Sequence, residues 1–254
     1  MKLIISKTAD DLGRRAAADT AKHIRDAIEK NGCARIVLST GASQFETLKY
    51  LVKEDVDWRR VEMFHLDEYV DLPETHPASF RKYLKERFIE PTDVGKAHFV
   101  DGTQANIAVL TEEIRKAPID GGLIGNGRNA HIAFNDPPAD FETRASYKVV
   151  NLDTACRNQQ VAEGWFAEIE DVPRQAVSMS VWQIMQCKCI ISAVPHAEKA
   201  WAVAQTLLNE LTPQVPATML KIHDDFQLYV DAQSYAQAGG IVSLKGTTVC
   251  EDYR

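Results

Sequence analysis

Two adjacent carboxylic acids, Asp67 and Glu68, stand directly after the apolar segment 61–66. Neighbouring carboxylates repel each other when both are ionised, so the pKa of one can rise until it works as a base near neutral pH. The alternative is that Asp67 caps a turn while Glu68 is solvated. The residues by themselves leave both interpretations open.

A second group of reactive side chains lies in the segment GNGRNAHIAFNDPP, residues 125–138. Its glycines allow the backbone to approach a ligand closely. His131 follows them, and a turn can bring the carboxylate of Asp136 back to its imidazole, where it would fix the tautomer and raise the basicity of the other ring nitrogen. A histidine bonded to a backbone carbonyl is the alternative. The glycines, an amide and a carboxylate together favour an acid–base site.

Two further loops have features suited to an anion. Residues 39–43 read STGAS, whose small side chains let backbone N–H groups approach an anion at the start of a helix. No Gly-Lys-Ser/Thr follows, so this is not a Walker loop, and a plain strand-to-helix connection is the alternative. Lys199 is expected in the first turn of a helix, where the helix dipole disfavours a cation unless an anionic ligand shares the helix end. A solvated lysine is the alternative there.

Metal, redox and membrane chemistry have little support in the sequence. His65 and Asp67 are two positions apart and no cluster with a known ligand spacing occurs, so no metal is expected. The five cysteines form neither a zinc knuckle nor a C-x-x-C pair, which predicts a reduced, cytoplasmic protein. The apolar run at residues 3–5 is too short for a signal-peptide core, and no stretch of about 20 apolar residues predicts a membrane span.

Composition and charge narrow the class of protein. The 254 residues are 45% hydrophobic and 26% charged, which is typical of a globular chain and excludes disorder. The formal net charge is −7, and no basic face is concentrated anywhere, so nucleic acid is not an expected partner.

The elements that must position these loops alternate between strand and helix along the chain. This alternation predicts an α/β fold with a single doubly wound, mostly parallel sheet and helices on both faces, a Rossmann-like domain over residues 1–254. In such sheets ligands bind beyond the carboxyl ends of the strands, where the four loops stand. The predicted strands are 34–38, 61–66, 121–124, 189–194 and 226–230, and the predicted helices are 9–31, 45–52, 77–88, 104–116 and 196–208.

Taken in this order, the four segments resemble the glucosamine-6-phosphate deaminase (isomerase) family over nearly the whole chain. Residues 67–80, DEYVDLPETHPASF, are similar to the family signature D-E-Y-V-G-L-x-x-x-H-P-x-S-[YF]. Residues 125–137 are similar to G-x-G-x-[ND]-G-H-I-[AG]-F-N-E-P, and residues 215–231 to the family's final segment. The 6-phosphogluconolactonases share the fold, but their third loop reads roughly D-G-H-T-A-S-L-F-P, so the deaminase side is favoured.

The resemblance implies an enzyme that converts an amino-sugar 6-phosphate and water into a ketose 6-phosphate and ammonia, without metal or organic cofactor. By position, His131 would open the pyranose ring, held by Asp136 and aided by Asn129. Asp67 would move a proton between C2 and C1 through an enolamine. The partner would be a small-molecule sugar phosphate, and a homo-oligomer is not excluded. The substrate and its phosphate would be bound by Thr40, Gly41, Ala42, Ser43, Gly125, Gly127 and Lys199.

Three positions depart from the family pattern. Asp136 stands where the family usually has Glu, and Ala130 replaces a glycine beside the histidine. The family's phosphate-binding Arg is expected near residues 160–166. Residues 158–166 contain no Arg, and the nearest one, Arg157, aligns poorly with that role. Two alternatives stay open. The shared fold leaves a sugar-lactone hydrolase with His131 as base, and the missing Arg, together with Asp136 in place of Glu, leaves a sugar-phosphate sensor that retains the pocket without turnover.

Overall fold

A large parallel sheet forms the centre of the structure, a computed structural model that describes residues 1–238 and 247–252. The strands are β1 (Lys2–Ser6), β2 (Ala34–Leu38), β3 (Val61–His65), β4 (Asp67–Tyr69), β5 (Lys96–His98), β6 (Gly121–Leu123), β7 (Tyr147–Asn151), β8 (Gln175–Met179), β9 (Ile190–Val194), β10 (Phe226–Asp231) and β11 (Thr248–Asp252). The helices are α1 (Ala9–Asn31), α2 (Phe45–Leu51), α3 (Phe80–Leu84), α4 (Glu90–Thr92), α5 (Gln104–Arg115), α6 (Thr154–Ala162), α7 (Val181–Ile184) and α8 (Ala200–Leu208).

Eight of these strands make the main sheet in the order β11-β1-β10-β9-β6-β2-β3-β5. Each neighbouring pair is parallel, as in the register that places Leu3 beside Leu228. The prediction of a doubly wound, mostly parallel α/β sheet is therefore confirmed.

Both faces of the sheet are buried, because successive side chains of a strand point to opposite sides. In β10, Leu228 and Val230 join one apolar core while Tyr229 joins the other. Helices α1 and α2 pack into the second core, and α5 and α8 pack into the first. Helices thus cover both faces and leave the strand ends to carry polar loops.

The long helix α1 has the end signals expected from the sequence. The Thr8 side chain accepts a hydrogen bond from the backbone N–H of Asp11, and Gly32 ends the helix with φ 80°. Within the helix, a Cβ at Gly13 would lie 2.6 Å from the backbone carbonyl carbon of Glu46. The glycine therefore allows α1 to approach the start of α2 closely.

A second, three-stranded antiparallel sheet in the order β4-β8-β7 adds to the predicted architecture. It is small, and β4 has three residues, too few for a period-two pattern to be recognised. Its position matters because Asp67 is the first residue of β4 and pairs with Ser178 of β8.

The observed elements agree with the predicted ones where the signal is strong. Strands β2, β3, β6, β9 and β10 lie within one residue of the predicted bounds. The helix expected from Pro77 begins at Phe80, because the Ser79 side chain accepts from the backbone N–H of Lys82 and caps it there. The sequence analysis did not predict β1, β4, β5, β7, β8, β11, α4, α6 and α7.

Candidate active site

The four polar loops follow four neighbouring strands, β9, β6, β2 and β3, at their carboxyl ends. Together they surround one cavity that is open to solvent. The ligand position expected for a doubly wound sheet is therefore the position of this cavity. Among the predicted site residues, its walls contain Asp67, His131, Thr40, Gly41, Ala42, Ser43, Gly125, Gly127 and Lys199.

Asp67 is a buried carboxyl group at the wall of this cavity, with an exposed fraction of 5%. Burial, and after it the nearby charge of Glu68, raise its pKa to about 8, against the backbone N–H of Phe134, which favours the ionised form. Within residues 1–238 and 247–252 no cationic side chain pairs with it. Asp67 is therefore a carboxyl group that can hold and release a proton near neutral pH.

Glu68 is completely buried and does not extend into solvent, as one interpretation of the sequence had it. Its carboxylate accepts hydrogen bonds from the Ser79 hydroxyl at 2.9 Å and from the backbone N–H of Arg81 at 2.9 Å. The Arg81 guanidinium adds a contact at 3.3 Å. Glu68 thus organises the segment that leads into α3, while its neighbour Asp67 faces the cavity.

His131 is held by two side chains beneath the cavity wall. Its Nδ1 lies 2.8 Å from Oδ1 of Asp136, and Asn129 donates its amide to the same oxygen at 3.0 Å. The Asn129 carbonyl oxygen also accepts from the backbone N–H of His131. Burial alone would raise the pKa of Asp136, but these hydrogen bonds outweigh it, and the net pKa is lowered. Neither Asn129 nor Asp136 lines the cavity. Both side chains instead hold His131, which does line it.

The backbone of this loop is shaped around the imidazole. A Cβ at Gly127 would lie 2.3 Å from Nε2 of His131, so only glycine fits at this position. Ala130 has φ 64°, the left-handed region that favours glycine, which explains why a glycine is usual at this place in the family pattern. Its carbonyl accepts a hydrogen bond from the backbone of Ala217.

The STGAS loop forms the opposite wall of the cavity. Gly41 has φ 102°, a conformation that L-residues rarely adopt, and its carbonyl accepts from the Tyr83 hydroxyl at 3.0 Å. The Ser39 hydroxyl accepts from the backbone N–H of Gly125 at 3.1 Å. This hydrogen bond joins the STGAS loop to residues 125–138, the histidine loop. The two walls therefore have a fixed relative position.

Lys199 is a buried cation at the same end of the cavity, in a 3₁₀ turn just before α8 and not in the first turn of α8 as predicted. It is 7% exposed, and burial lowers the pKa of its ammonium group. No other described residue forms a hydrogen bond or ion pair with it. The charges of Glu163 and Glu198 act on this ammonium group without contacting it, and burial still lowers its pKa. An anionic ligand in direct contact would offset the cost of burying it.

One wall of the cavity was not predicted from the sequence. It is formed by α6 and the residues after it, with Gln160 accepting a hydrogen bond from the Tyr69 hydroxyl at 2.8 Å. Arg128 reaches this wall from the histidine loop. Its charge beside the glycines was a signal that could have indicated this role. The additional wall residues include Phe80, Arg128, Gln159, Gln160, Glu163, Trp165 and Glu198.

The sequence spacing predicted no cluster of metal-ligand residues, but the folded chain brings such residues together within the described ranges. Three groups of side chains bring ligand-type atoms within 4.8 Å of one another, and these are His131–Asp136–Cys156, His23–Cys189–Asp225 and Glu62–His98–Glu113. His65, considered earlier as a ligand, is fully buried, and burial lowers its pKa to about 3. None of the helices in the described ranges combines the length and apolar character needed to cross a membrane.

Comparison with known proteins identifies the family of the chain. The family model of glucosamine-6-phosphate isomerases/6-phosphogluconolactonase matches residues 7–229. The glucosamine-6-phosphate deaminase of Streptococcus pneumoniae serotype 4 (strain ATCC BAA-334 / TIGR4) is 32% identical over 208 residues, 80% of this chain and 88% of that protein. The deaminase of Streptococcus uberis (strain ATCC BAA-854 / 0140J) is 32% identical over 211 residues, 82% of this chain and 88% of its own.

Solved structures give the same picture at the level of the fold. A monomeric glucosamine-6-phosphate deaminase superposes with a TM-score of 0.82 at 26% identity, covering 93% of this chain and all of its own. A 6-phosphogluconolactonase from Thermotoga maritima superposes with a TM-score of 0.75 at 15% identity, covering 91% of this chain and all of its own. The family model spans most of the sequence, and the chain belongs to the enzyme family of glucosamine-6-phosphate isomerases and 6-phosphogluconolactonases.

Proposed function

We propose that this protein converts glucosamine 6-phosphate and water into fructose 6-phosphate and ammonia. The observation that carries the proposal is one cavity with an unpaired buried cation, Lys199, in one part of its wall and two acid–base groups, Asp67 and His131, in another. A sugar with a phosphate on C6 and reacting atoms at C1 and C2 has its charge and its chemistry at opposite ends. The wall of this cavity contains side chains suited to both features.

His131 is proposed to open the pyranose ring. With Nδ1 at Asp136, its Nε2 is the nitrogen available to accept the proton of the C1 hydroxyl and to return a proton to the ring oxygen. The ring C–O bond breaks, and an open-chain aldehyde forms. Asn129 and Asp136 are positioning residues in this step, because they contact the histidine and not the cavity.

Asp67 is proposed to move the proton from C2 to C1. Its carboxylate takes the C2 proton, the electron pair forms the C1–C2 double bond, and the carbonyl oxygen on C1 takes up a proton as the ammonium group loses one, which gives an enolamine. The carboxyl group then delivers its proton to C1 while the nitrogen lone pair forms the C2–N double bond. The resulting C2 imine takes up water and releases ammonia, which leaves fructose 6-phosphate. The substrate's ammonium group would favour ionisation of a carboxyl whose pKa of about 8 keeps it largely protonated in the empty cavity.

Two alternatives have specific observations behind them. The superposition on lactonases is compatible with His131 acting as the base for sugar-lactone hydrolysis. The absence of Arg from residues 158–166 is compatible with a sugar-phosphate sensor. Asp67 favours the deaminase, because a lactone hydrolase has no C2 proton to transfer and a sensor needs no proton-transferring group.

Ammonia release from purified protein tests the proposal, with glucosamine 6-phosphate, galactosamine 6-phosphate and free glucosamine as parallel substrates. Turnover of glucosamine 6-phosphate alone is the expected result. Hydrolysis of 6-phosphogluconolactone without ammonia release would establish the lactonase instead. Binding of the sugar phosphates without any turnover would favour the sensor.

The cytoplasm is the proposed location. All five cysteines, Cys33, Cys156, Cys187, Cys189 and Cys250, are free thiols in the structure. Free thiols persist in a reducing compartment, which is also where sugar phosphates would be available to the enzyme. A non-reducing electrophoresis of protein alkylated in intact cells would detect any disulfide and thereby contradict this location.

A further inference from the structure

The structure assigns a second phosphate-binding cation to the histidine loop: we infer that Arg128 binds the phosphate of the substrate together with Lys199, and that the phosphate replaces Glu163 as the nearest charged partner of its guanidinium. The inference rests on the proposed function, since it concerns the same cavity. Arg128 also supplies the positive charge that residues 158–166 lack.

The position of Arg128 is the first step of the argument. Its side chain lines the cavity that also contains Lys199 and the STGAS loop. Its positive charge acts on Lys199 and, after burial, contributes to lowering the pKa of that ammonium group. Two cations near each other in one wall repel, and an anion with about two negative charges between them would relieve the repulsion.

The present partner of Arg128 is the second step. Nε of Arg128 lies 3.8 Å from Oε1 of Glu163, too far for a hydrogen bond, and it is buried without any hydrogen-bond partner among the described residues. Glu163 accepts instead from Gln159 Nε2 at 2.7 Å and Trp165 Nε1 at 3.3 Å. Arg128 therefore has one buried donor, Nε, that its carboxylate neighbour does not satisfy, on a side chain that is 40% exposed.

A phosphate group fits the chemistry that this arrangement leaves open. Guanidinium binds phosphate through parallel N–H donors, which a Lys ammonium cannot reproduce. A phosphate carries more negative charge than the single carboxylate of Glu163, so it can replace that carboxylate as the partner of Arg128. An unphosphorylated sugar has no charge with which to do so. Glu163 thus makes ligand binding beside Arg128 and Lys199 selective for a phosphate ester.

Binding of glucose 6-phosphate and inorganic phosphate, measured by calorimetry, tests the inference without requiring turnover. Arg128→Gln should weaken glucose 6-phosphate binding roughly tenfold to a hundredfold, and Arg128→Lys should restore part of the loss. Glu163→Gln should strengthen binding several-fold, with a smaller gain when Arg128 is also Gln. Arg60→Gln is the matched control, because Arg60 lies at the amino end of β3 and pairs with Asp57.

Two results would overturn the inference. One is a folded Arg128→Gln protein that binds glucose 6-phosphate within twofold of wild type, and the other is a Glu163→Gln protein that binds it more weakly. If wild type still releases ammonia from glucosamine 6-phosphate in either case, the proposed function stands and only the role of Arg128 fails. If wild type neither binds nor turns over any sugar phosphate, both fail.

Discussion

At the scale of single residues, Asp67 and Glu68 show how different two adjacent carboxylates can be. Glu68 is satisfied by Ser79 and by the backbone and side chain of Arg81, whereas Asp67 has the backbone N–H of Phe134 and the open cavity. Burial keeps the Asp67 carboxyl group largely protonated at neutral pH. A group of this kind is suited to giving and taking a proton within one catalytic cycle.

The first prediction is that Asp67→Asn abolishes turnover while retaining ligand binding. The amide cannot accept the C2 proton, so ammonia release should fall roughly 10²–10⁴-fold or more. The affinity for glucose 6-phosphate should stay within about tenfold, since the lost interaction belongs to the transition state. A loss of binding in proportion to the loss of rate would contradict the assignment.

The stability of the same variant provides a control for the pKa of Asp67. Because the folded-state pKa is raised to about 8 from its ordinary value of 3.8, the native protein binds the extra proton between these values. The free energy of unfolding therefore falls as pH rises through that window in wild type, and Asn removes this decrease. In urea unfolding, the free energy of unfolding of Asp67→Asn relative to that of wild type should be larger at pH 9 than at pH 5.

A second prediction concerns the pH dependence of activity. If ionised Asp67 is the base of the free enzyme, kcat/KM should increase with pH and level off above about pH 8. The titrations of the substrate's own phosphate and ammonium groups are determined separately and divided out. A kcat/KM that is already at its plateau at pH 6 would show that Asp67 is not the limiting base.

At the scale of elements, the histidine loop depends on two backbone positions with different tolerances. Gly127 faces the ring of His131 directly, whereas Ala130 has a left-handed φ and a buried methyl group. The loop is joined to the STGAS loop by the Ser39–Gly125 hydrogen bond. The shape of the histidine loop therefore determines the position of His131 and of the adjoining STGAS wall.

A third prediction follows for Ala130. Ala130→Gly should leave activity intact and change the free energy of unfolding by no more than about 1 kcal/mol, because relief of the left-handed strain offsets the loss of a buried methyl group. Ala130→Val should lose activity, since a β-branched residue is strained at φ 64° and has no space there. Urea unfolding and ammonia release on the two variants make the comparison, and an active, stable Val variant would contradict it.

The same elements show what the sequence could predict. Strands with continuous apolar runs, such as β2 and β9, were recognised because burial on both faces leaves a strong signal. Three-residue strands such as β4, and the helix α6 with its mixed polar sequence, carry no clear period. The α6 wall of the cavity was missed for this reason, although the residues on the four strand ends were found.

At the scale of the whole molecule, the sheet brings together loops that are far apart in sequence. Residues near positions 40, 67, 131 and 199 meet because β2, β3, β6 and β9 are adjacent. The same fold superposes on a deaminase and on lactonases, so architecture alone does not determine the reaction. The unpaired charge of Lys199 links the stability of the whole chain to its ligand.

The fourth prediction uses that link. Glucose 6-phosphate at a hundred times its dissociation constant should stabilise the fold by about 2.7 kcal/mol, which for a chain of this size is roughly a 5–10 °C increase in Tm. Lys199→Met should remove most of this increase and raise the Tm of the ligand-free protein, because a buried ammonium group that has no hydrogen-bond or ion-pair partner among the described residues is removed. A ligand-induced increase that survives in Lys199→Met would place the phosphate elsewhere.

The proton held by Asp67 has a consequence for binding that rates alone do not reveal. If the ammonium group of an amino-sugar phosphate ionises this carboxyl, each binding event near pH 7 should release close to one proton into the buffer. The heat of binding of an unreactive amino-sugar-alcohol phosphate should then vary with the ionisation enthalpy of the buffer. The same titration on Asp67→Asn should give one heat in every buffer. The ligand-free enzyme would then hold a proton on Asp67, and substrate binding would release this proton before any covalent bond breaks.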